Sequence, residues 1–243
     1  MSRNSKKNPA NAEPRAPQSP PEPQAGRSGR RGIVFAAGVG LLLAGVAGTL
    51  IYKGSGGAAS SAAAAANRPG LASGHSPTLG DANAKVHIVE FLDPACETCA
   101  AFYPLIKQIM AENPNRIRLS IRHVPFHKGS EDVVRFLEAS RKQDKYWQTL
   151  ETLLSTQAQW APNHTAQPDL ARQAIAGIGL NLDQLAADMQ APEVTQRIQQ
   201  DITDATALNV TKTPEYFVNG RQMPSFGRQQ LQNLVRDALQ SAY

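Results

Sequence analysis

The apolar and polar positions divide the chain into three stretches, of which the first is a long run without charge. Residues 32–52, GIVFAAGVGLLLAGVAGTLIY, hold 21 uncharged residues. At about 1.5 Å rise per residue, a helix of that length spans roughly 30 Å, the thickness of a bilayer's hydrocarbon core. This pattern predicts a single transmembrane helix at 32–52. A cleaved signal peptide is the alternative, because an Ala-rich segment follows, although signal peptides have shorter apolar cores.

The second stretch alternates between strand and helix patterns. KVHIVEFLD, residues 85–93, is apolar and β-branched, which is typical of a buried strand. ETCAAFYPLIKQIMAEN, residues 97–113, has apolar residues at helical spacing, with Pro104 inside it. RIRLSIRHVPF, residues 116–126, alternates apolar and polar positions as a second strand does. Strand, helix and strand at these lengths predict a βαβ unit.

The third stretch is mainly helical. Residues from about 129 to 209 contain successive amphipathic segments, which predict an insertion of several helices. EYFVNGRQM, residues 215–223, predicts a hairpin through Asn219-Gly220, because that dipeptide favours a two-residue turn. The last residues, 227–243, form one more amphipathic helix pattern. The fold class predicted for residues 77–243 is therefore α/β with a large helical insertion.

The charge of the chain is confined to its beginning. The net charge is +5, and residues 1–31 contain seven basic and two acidic side chains, which accounts for the whole excess. A basic tail in front of an otherwise neutral chain argues against nucleic-acid binding. Residues 1–31 are polar and predict disorder, and residues 53–76 predict a Gly/Ser/Ala linker. Positive charge before the span at 32–52 predicts a cytoplasmic N-terminus and a periplasmic domain on a bacterial inner membrane, or a soluble periplasmic domain after cleavage.

The two cysteines of the chain, Cys96 and Cys99, lie between the first predicted strand and its following helix. A disulfide between them would close too small a loop to stabilise the fold much. With His123 and His127 they resemble a Cys₂His₂ metal site, although the spacing between the two pairs is longer than usual and His123 falls on a predicted strand. A non-catalytic metal-binding or assembly factor is therefore one alternative for this chain.

The position of the pair favours redox chemistry over metal binding. A thiolate at a helix N-terminus meets unpaired backbone N–H groups and the positive end of the helix dipole, so Cys96 is expected to ionise readily. Cys99 follows one turn later, where it can act as the resolving thiol. A chain without other cysteines suits an oxidising compartment, because the domain cannot mispair with itself.

These motifs carry a resemblance to a known family. VHIVEFLDPACETC, the helical insertion and VTKTPEYFVNG resemble the DsbA-like thiol–disulfide oxidoreductases of the thioredoxin superfamily, over roughly residues 79–243. The resemblance implies that Cys96 exchanges with the substrate, that Cys99 resolves, and that Thr213-Pro214 is a substrate-binding cis-proline loop. It implies no cofactor beyond the redox-active pair. Its partners would be thiols or disulfides of exported proteins and a membrane redox protein that resets the pair.

A buried acid is also implied by the resemblance. Glu90 lies between apolar neighbours on a strand predicted to be buried on both faces, so its pKa is expected to be raised. In the family such an acid lies beneath the active site, and Glu90 would relay protons to Cys99.

The residues between the cysteines depart from the family pattern. DsbA oxidases usually carry Pro-His there, whereas this chain has Glu97 and Thr98. A carboxylate beside a thiolate disfavours ionisation, so Cys96 is expected to be less acidic, and the disulfide less oxidising, than in DsbA itself. Formation of substrate disulfides is the leading prediction. Glu97, and Thr213 in place of Val before Pro214, keep reduction or isomerisation as the alternative.

Overall fold

The computed structural model describes Leu71 and residues 73–243. The predicted tail at 1–31, the predicted transmembrane helix at 32–52 and most of the predicted linker at 53–76 lie outside the described residues. Within the described part, no helix combines the length and apolar character needed to cross a membrane.

In the described part of the chain, five strands form one sheet in the order β1-β3-β2-β4-β5. The strands are β1 Thr78–Gly80, β2 Val86–Leu92, β3 Ile117–His123, β4 Glu215–Val218 and β5 Arg221–Gln222. β2 and β3 run parallel, which confirms the βαβ unit, and the other pairings are antiparallel. The predicted hairpin is confirmed as β4 and β5. β1 has only three residues, too few to give a period-2 pattern in the sequence.

β3 is shorter than the strand predicted at 116–126. It ends at His123, and Val124 then donates its backbone N–H to Leu92 O at 3.0 Å. The next residue, Pro125, has no N–H and cannot continue the ladder. The predicted end of this strand is therefore wrong by three residues.

The described residues form eight α-helices. They are α1 Glu97–Glu112, α2 Ser130–Ser140, α3 Tyr146–Ser155, α4 Gln157–Trp160, α5 Pro168–Ala174, α6 Leu182–Asp188, α7 Pro192–Ala207 and α8 Arg228–Ala242. α1 crosses from β2 to β3 and contains Pro104. Helices α2 to α7 lie between β3 and β4, which confirms the helical insertion, and α8 confirms the C-terminal helix.

The central strand, β2, is covered on both faces. Side chains alternate along a strand, so Ile88 and Leu92 lie on one face, and Val89 and Phe91 on the other. The first face belongs to the main hydrophobic core, which α1, α8 and the insertion share. The second face belongs to a smaller core that includes residues of β4 and α7. Glu90 occupies the main-core face, the same side of the sheet that α1 covers.

The chain before β1 packs against the domain. Leu71 is buried in the smaller core. His75 contacts Asp201 on α7, with Nε2 lying 2.7 Å from Oδ1, and Arg122 donates to the same oxygen from β3 at 2.6 Å. Leu71 and His75, which the sequence pattern assigns to the linker, therefore contact the packed domain.

Candidate active site around Cys96 and Cys99

Cys96 and Cys99 lie where β2 turns into α1. Cys96 is the N-cap residue of α1, and Cys99 lies in the first turn of that helix. The Cys96 backbone N–H donates to Asp93 O at 3.0 Å, which closes the turn. Both thiols are free; Cys96 is 4% exposed and Cys99 is 0% exposed. Of the two sulfur-bearing residues, Cys96 is therefore the one that reaches the surface.

The surroundings of Cys96 stabilise its thiolate. A hydrogen bond from the Cys99 thiol is the main cause, and Thr213 and the backbone N–H groups of Cys99 and Thr98 add to it. Against the opposing effect of burial, these contacts lower the pKa of Cys96 to about 5. Backbone N–H groups at the start of a helix have no partner in the helix itself, so they are free to stabilise a group at the N-cap. Cys96 is consequently ionised at neutral pH and can act as a nucleophile.

Cys99 has the opposite environment. Burial raises its pKa well above the usual range of a thiol, and its hydrogen bond to Cys96 and the charges of Glu90 and Cys96 act in the same direction. Cys99 therefore stays protonated and donates to the Cys96 thiolate. One sulfur is ionised and belongs to the slightly exposed residue, and the other is protonated and belongs to the fully buried one, which is the division that a nucleophile and a resolving thiol require.

The loop before β4 faces Cys96. The Thr213–Pro214 peptide bond is cis. The Cys96 thiol donates to Thr213 O at 3.3 Å. In this thiol form the Thr213 hydroxyl is buried without a hydrogen-bond partner among the described residues, so it is free to donate once Cys96 is ionised. The structure thus brings Thr213 and Pro214 together with the cysteine pair, as the sequence resemblance implies.

Glu90 is a fully buried carboxyl group on the same face of the sheet as the cysteines. Burial raises its pKa to about 8, the hydrogen bond from Tyr216 partly offsets that effect, and the charge of Cys96 adds to it. The Tyr216 hydroxyl donates to Glu90 Oε1 at 3.0 Å, whereas Oε2 has no hydrogen-bond partner among the described residues. The raised pKa predicted for Glu90 is confirmed, and the group can gain or lose a proton near neutral pH.

Asp93, which the sequence pattern does not indicate, fixes the turn between β2 and α1. Its carboxylate is fully buried. Oδ1 accepts from Ala95 N at 2.8 Å and from the Ser130 hydroxyl. Oδ2 accepts from His127 twice, from the backbone N–H at 2.8 Å and from Nδ1 at 2.7 Å. Four donors from two segments therefore hold the turn in place. The one signal in the sequence is an acid directly after a buried strand.

Gln157 connects the helical insertion to the active-site turn. Its side-chain amide nitrogen donates to Pro94 O at 2.7 Å and to Cys96 O at 3.0 Å. The residue is buried on α4. Its partners lie more than sixty positions earlier in the chain, so no local pattern could have indicated this contact.

The two residues between the cysteines differ in exposure. The Glu97 side chain is 59% exposed, and its Oε2 lies 3.8 Å from Nε2 of His164. The His164 ring stacks on that of His127, with 4.9 Å between ring centroids. Thr98 is half-buried and contributes its backbone N–H to Cys96. Because solvent screens an exposed carboxylate, the effect of Glu97 on Cys96 is expected to be smaller than that of the hydrogen bonds.

The Cys₂His₂ metal site considered from the sequence is not assembled. His123 is fully buried, and its Nε2 lies 3.0 Å from the Tyr146 hydroxyl. His127 is held by Asp93. Among Leu71 and residues 73–243, no group of three or more His, Cys, Asp or Glu side chains is placed to hold a metal ion.

Comparison with known proteins agrees with this geometry. A family model described as thioredoxin matches residues 72–237. A thioredoxin-like oxidoreductase from Silicibacter pomeroyi DSS-3 is 30% identical, with a TM-score of 0.62 over 72% of this chain and 98% of that one. Two structures share the fold at lower identity. BdbD from Bacillus subtilis is 22% identical, with a TM-score of 0.60 over 68% of this chain and 94% of that one. Wolbachia pipientis alpha-DsbA1 is 17% identical, with a TM-score of 0.62 over 71% and 94%.

The similar curated proteins are much longer than the matched region. The Na(+)/H(+) antiporter NhaA of Herminiimonas arsenicoxydans is 27% identical over 144 residues, which are 59% of this chain and 22% of that protein. NhaA 3 of Salinispora tropica is 29% identical over 146 residues, 59% of this chain and 21% of that protein. The match thus spans about a fifth of these relatives. From the family model and the 30% identical thioredoxin-like oxidoreductase, the chain belongs to the thioredoxin family, and it shares its fold with the DsbA-like structures.

Proposed function

We propose that this protein forms disulfides in exported proteins by exchange at Cys96 and Cys99. The observation that carries the proposal is the unequal environment of the two sulfurs. The hydrogen bonds that lower the pKa of Cys96 to about 5 stabilise its thiolate, and therefore the reduced form of the pair. Stabilising the reduced form makes the disulfide form a stronger oxidant. No cofactor beyond the cysteine pair is needed for this reaction.

The proposed reaction has two exchange steps. A substrate thiolate attacks Cys96 Sγ of the Cys96–Cys99 disulfide, and Cys99 leaves as a thiolate. A second substrate thiolate then attacks the substrate sulfur of the mixed disulfide and releases the Cys96 thiolate. The substrate loses two electrons and the cysteine pair gains them. A membrane redox partner would reoxidise the pair for the next cycle.

Three further residues would take part in these two exchange steps. The carbonyl oxygen of Thr213 lies 3.3 Å from Cys96 Sγ, so the Thr213 backbone would pair with an extended substrate segment there. Pro214 would fill the space beside the mixed disulfide. Glu90 would give a proton to Cys99 when Cys99 leaves. It suits this step because burial raises its pKa to about 8, so it holds a proton at neutral pH.

Reduction or isomerisation is the second candidate direction. The exposed Glu97 carboxylate, next to Cys96 in the chain, opposes ionisation of the thiol, and Thr213 stands before Pro214. The reduction potential separates the two directions. A potential more positive than about −200 mV supports oxidation, whereas a value near about −270 mV, as in thioredoxin, supports reduction.

We also propose that the domain faces the periplasm, anchored by a helix at 32–52 with the basic tail at 1–31 in the cytoplasm. The excess of basic residues before the apolar span supports this orientation. Cleavage after the span would instead give a soluble periplasmic domain. Fractionation of cells that produce the full chain, with protease added to spheroplasts, distinguishes the two forms. We propose no nucleic-acid partner.

The test of function uses the purified full chain in its oxidised form and a peptide with two reduced cysteines. We expect peptide disulfide to form as the protein pair is reduced. Cys96→Ser should abolish exchange. Cys99→Ser, mixed with the disulfide form of the peptide, should accumulate a mixed disulfide through Cys96, because the Cys96 thiolate attacks the peptide disulfide and releases one peptide thiolate. If the protein binds zinc stoichiometrically and neither oxidises nor reduces the peptide, the enzyme proposal is wrong and the metal-binding alternative is supported.

A further inference from the structure

Tyr216 and Glu90 form a buried pair across two neighbouring strands. They are directly opposite each other in the antiparallel register of β4 and β2. Both residues are 0% exposed. The Tyr216 hydroxyl donates to Glu90 Oε1 at 3.0 Å, and its ring stacks on Phe102 of α1 with 6.1 Å between centroids. The hydroxyl therefore reaches Glu90 from a ring that the core holds in place.

The other titratable groups that act on Glu90 offer it no positive charge. They are Cys96 and Cys99, at the start of α1, and Tyr103, further along the same helix. Each of these groups is either neutral or, when ionised, negative. On β3, the residue registered with Glu90 is the apolar Ile121. Among the described residues, the Tyr216 hydroxyl is thus the group that stabilises a negative charge on Glu90 by hydrogen bonding.

This contact makes the two oxygens of Glu90 unequal. Burial raises the pKa of Tyr216 well above its usual range, so the phenol keeps its proton and remains a donor. With Oε1 occupied by that donor, a proton on the carboxyl group is best carried by Oε2, the oxygen without a hydrogen-bond partner among the described residues. Without a hydrogen-bond donor on one oxygen, a carboxyl group would exchange its proton equally well at either oxygen.

We propose that Tyr216 is a positioning residue for proton transfer, which holds Oε1 of Glu90 and reserves Oε2 for the proton exchanged with Cys99. The proposal rests on the thiol–disulfide exchange proposed above and deepens it. When Cys99 leaves the disulfide as a thiolate, the proton on Oε2 passes to its sulfur and Glu90 becomes a carboxylate. In the reverse step Cys99 returns that proton to Oε2, and its thiolate attacks Cys96 Sγ and expels the substrate thiolate.

The test follows the reverse step in a state where Cys96 cannot ionise. The full-length reduced protein is converted to its Cys96–glutathione mixed disulfide, and the release of glutathione by Cys99 is timed at a series of pH values. Release requires ionised Glu90. Tyr216→Phe removes the hydrogen bond that favours the carboxylate, so we expect the midpoint of the pH profile to rise by about one unit. Below the midpoint the rate should fall about tenfold.

Two control backgrounds separate this role from a structural one. Tyr146→Phe removes another buried tyrosine hydroxyl, 3.0 Å from His123 Nε2, and should leave the midpoint unchanged. In the Glu90→Gln background the Glu90-dependent step of the profile is absent, so Tyr216→Phe should add no shift. The proposal is overturned if Tyr216→Phe releases glutathione with the wild-type midpoint, or if it shifts the profile equally when Glu90 is Gln. Failure of the wild-type protein to form the mixed disulfide at Cys96 would overturn the proposed function itself.

A second measurement applies even if the Tyr216→Phe variant does not fold. The infrared carbonyl band of protonated Glu90 is recorded in the oxidised wild-type protein and assigned by its loss in Glu90→Gln. With the proton on Oε2 and Tyr216 donating to Oε1, the band should have the lowered frequency of a hydrogen-bonded carbonyl. A band at the frequency of a free carbonyl contradicts the proposal.

Discussion

Glu90, inside β2, and Asp93, in the turn directly after it, are both 0% exposed, yet their surroundings differ. Glu90 receives one hydrogen bond, from Tyr216, and its Oε2 has no partner among the described residues. Asp93 receives four, from Ala95, Ser130 and twice from His127. Burial alone therefore does not decide what an acid does in this domain.

The difference lies in how much of the negative charge the protein compensates. A buried carboxylate with several donors is satisfied and stabilises the segments that supply them. A buried carboxyl group with one donor is costly to ionise, so it favours the protonated form. Asp93 is suited to hold the active-site turn, and Glu90 to store a proton beside the cysteines.

The largest expected effect is that of removing Asp93. Asp93→Ala leaves four donors without their acceptor, and each buried unsatisfied donor costs about 1–3 kcal/mol. We expect the free energy of unfolding, measured by urea denaturation, to fall by roughly 3–5 kcal/mol. Asp93→Asn, which keeps one acceptor oxygen, should lose less. A loss below about 1 kcal/mol for Asp93→Ala would remove the contrast with Glu90.

Glu90→Gln should remove a loss of stability that the wild type shows as pH rises. The pKa of Glu90 in the folded protein, about 8, lies above its ordinary value of 4.5, so the folded state holds the proton between these values. The stability due to this group is complete below pH 4.5 and is lost as pH rises through 8. The wild type should therefore lose up to about 1.4 kcal/mol per pH unit relative to Glu90→Gln in that window.

The oxidised protein is the form to use for this comparison, because neither cysteine titrates in it. Unfolding free energies of the wild type and of Glu90→Gln are measured between pH 4.5 and pH 9, which brackets the interval over which Glu90 is protonated only in the folded state. Parallel stability curves for the two proteins would mean that the Glu90 carboxyl is ionised like an ordinary surface acid.

The smallest effect is expected from substituting Glu97, a third acid, which follows Cys96 in the chain. Its side chain is 59% exposed and lies 3.8 Å from His164, so solvent screens its charge. Glu97→Gln should make the Cys96 thiol more acidic by a few tenths of a pKa unit, because a neighbouring negative charge opposes ionisation. The thiolate absorbance of the reduced variant measures this. A Cys96 thiol no more acidic than in the wild type would show that Glu97 has no part in tuning the pair.

Much of this arrangement could be predicted from the sequence. The apolar run of β2 places Glu90 in a buried strand, and the turn into α1 places Cys96 at a helix N-terminus. Both inferences depend on residues that are neighbours in the chain, for which periodicity and capping are good guides. The end of β3 was less predictable, because the apolar alternation continues through Pro125, where the ladder hydrogen bonds cannot.

The contacts that complete the site come from distant parts of the chain. Gln157 reaches the turn from the helical insertion, and Tyr216 reaches Glu90 from β4. Each depends on the side-chain geometry of the finished fold, and neither residue stands out in composition or spacing. The hydrogen bonds to Asp93 also depend on the finished fold. His127 can donate to Asp93 because β3 ends at His123, four residues before it. Sequence patterns indicate which elements form, and packing decides which polar groups meet.

The central claim is that the two cysteines of one pair are made chemically different by their surroundings. The most direct measurement is the ultraviolet absorbance of the thiolate during a pH titration of the reduced protein, with Cys96→Ser and the oxidised protein as baselines. The account predicts that Cys96 ionises with a midpoint of about 5, while Cys99 stays protonated well into the alkaline range. A Cys96 midpoint near the ordinary thiol value of about 8.5 would contradict it.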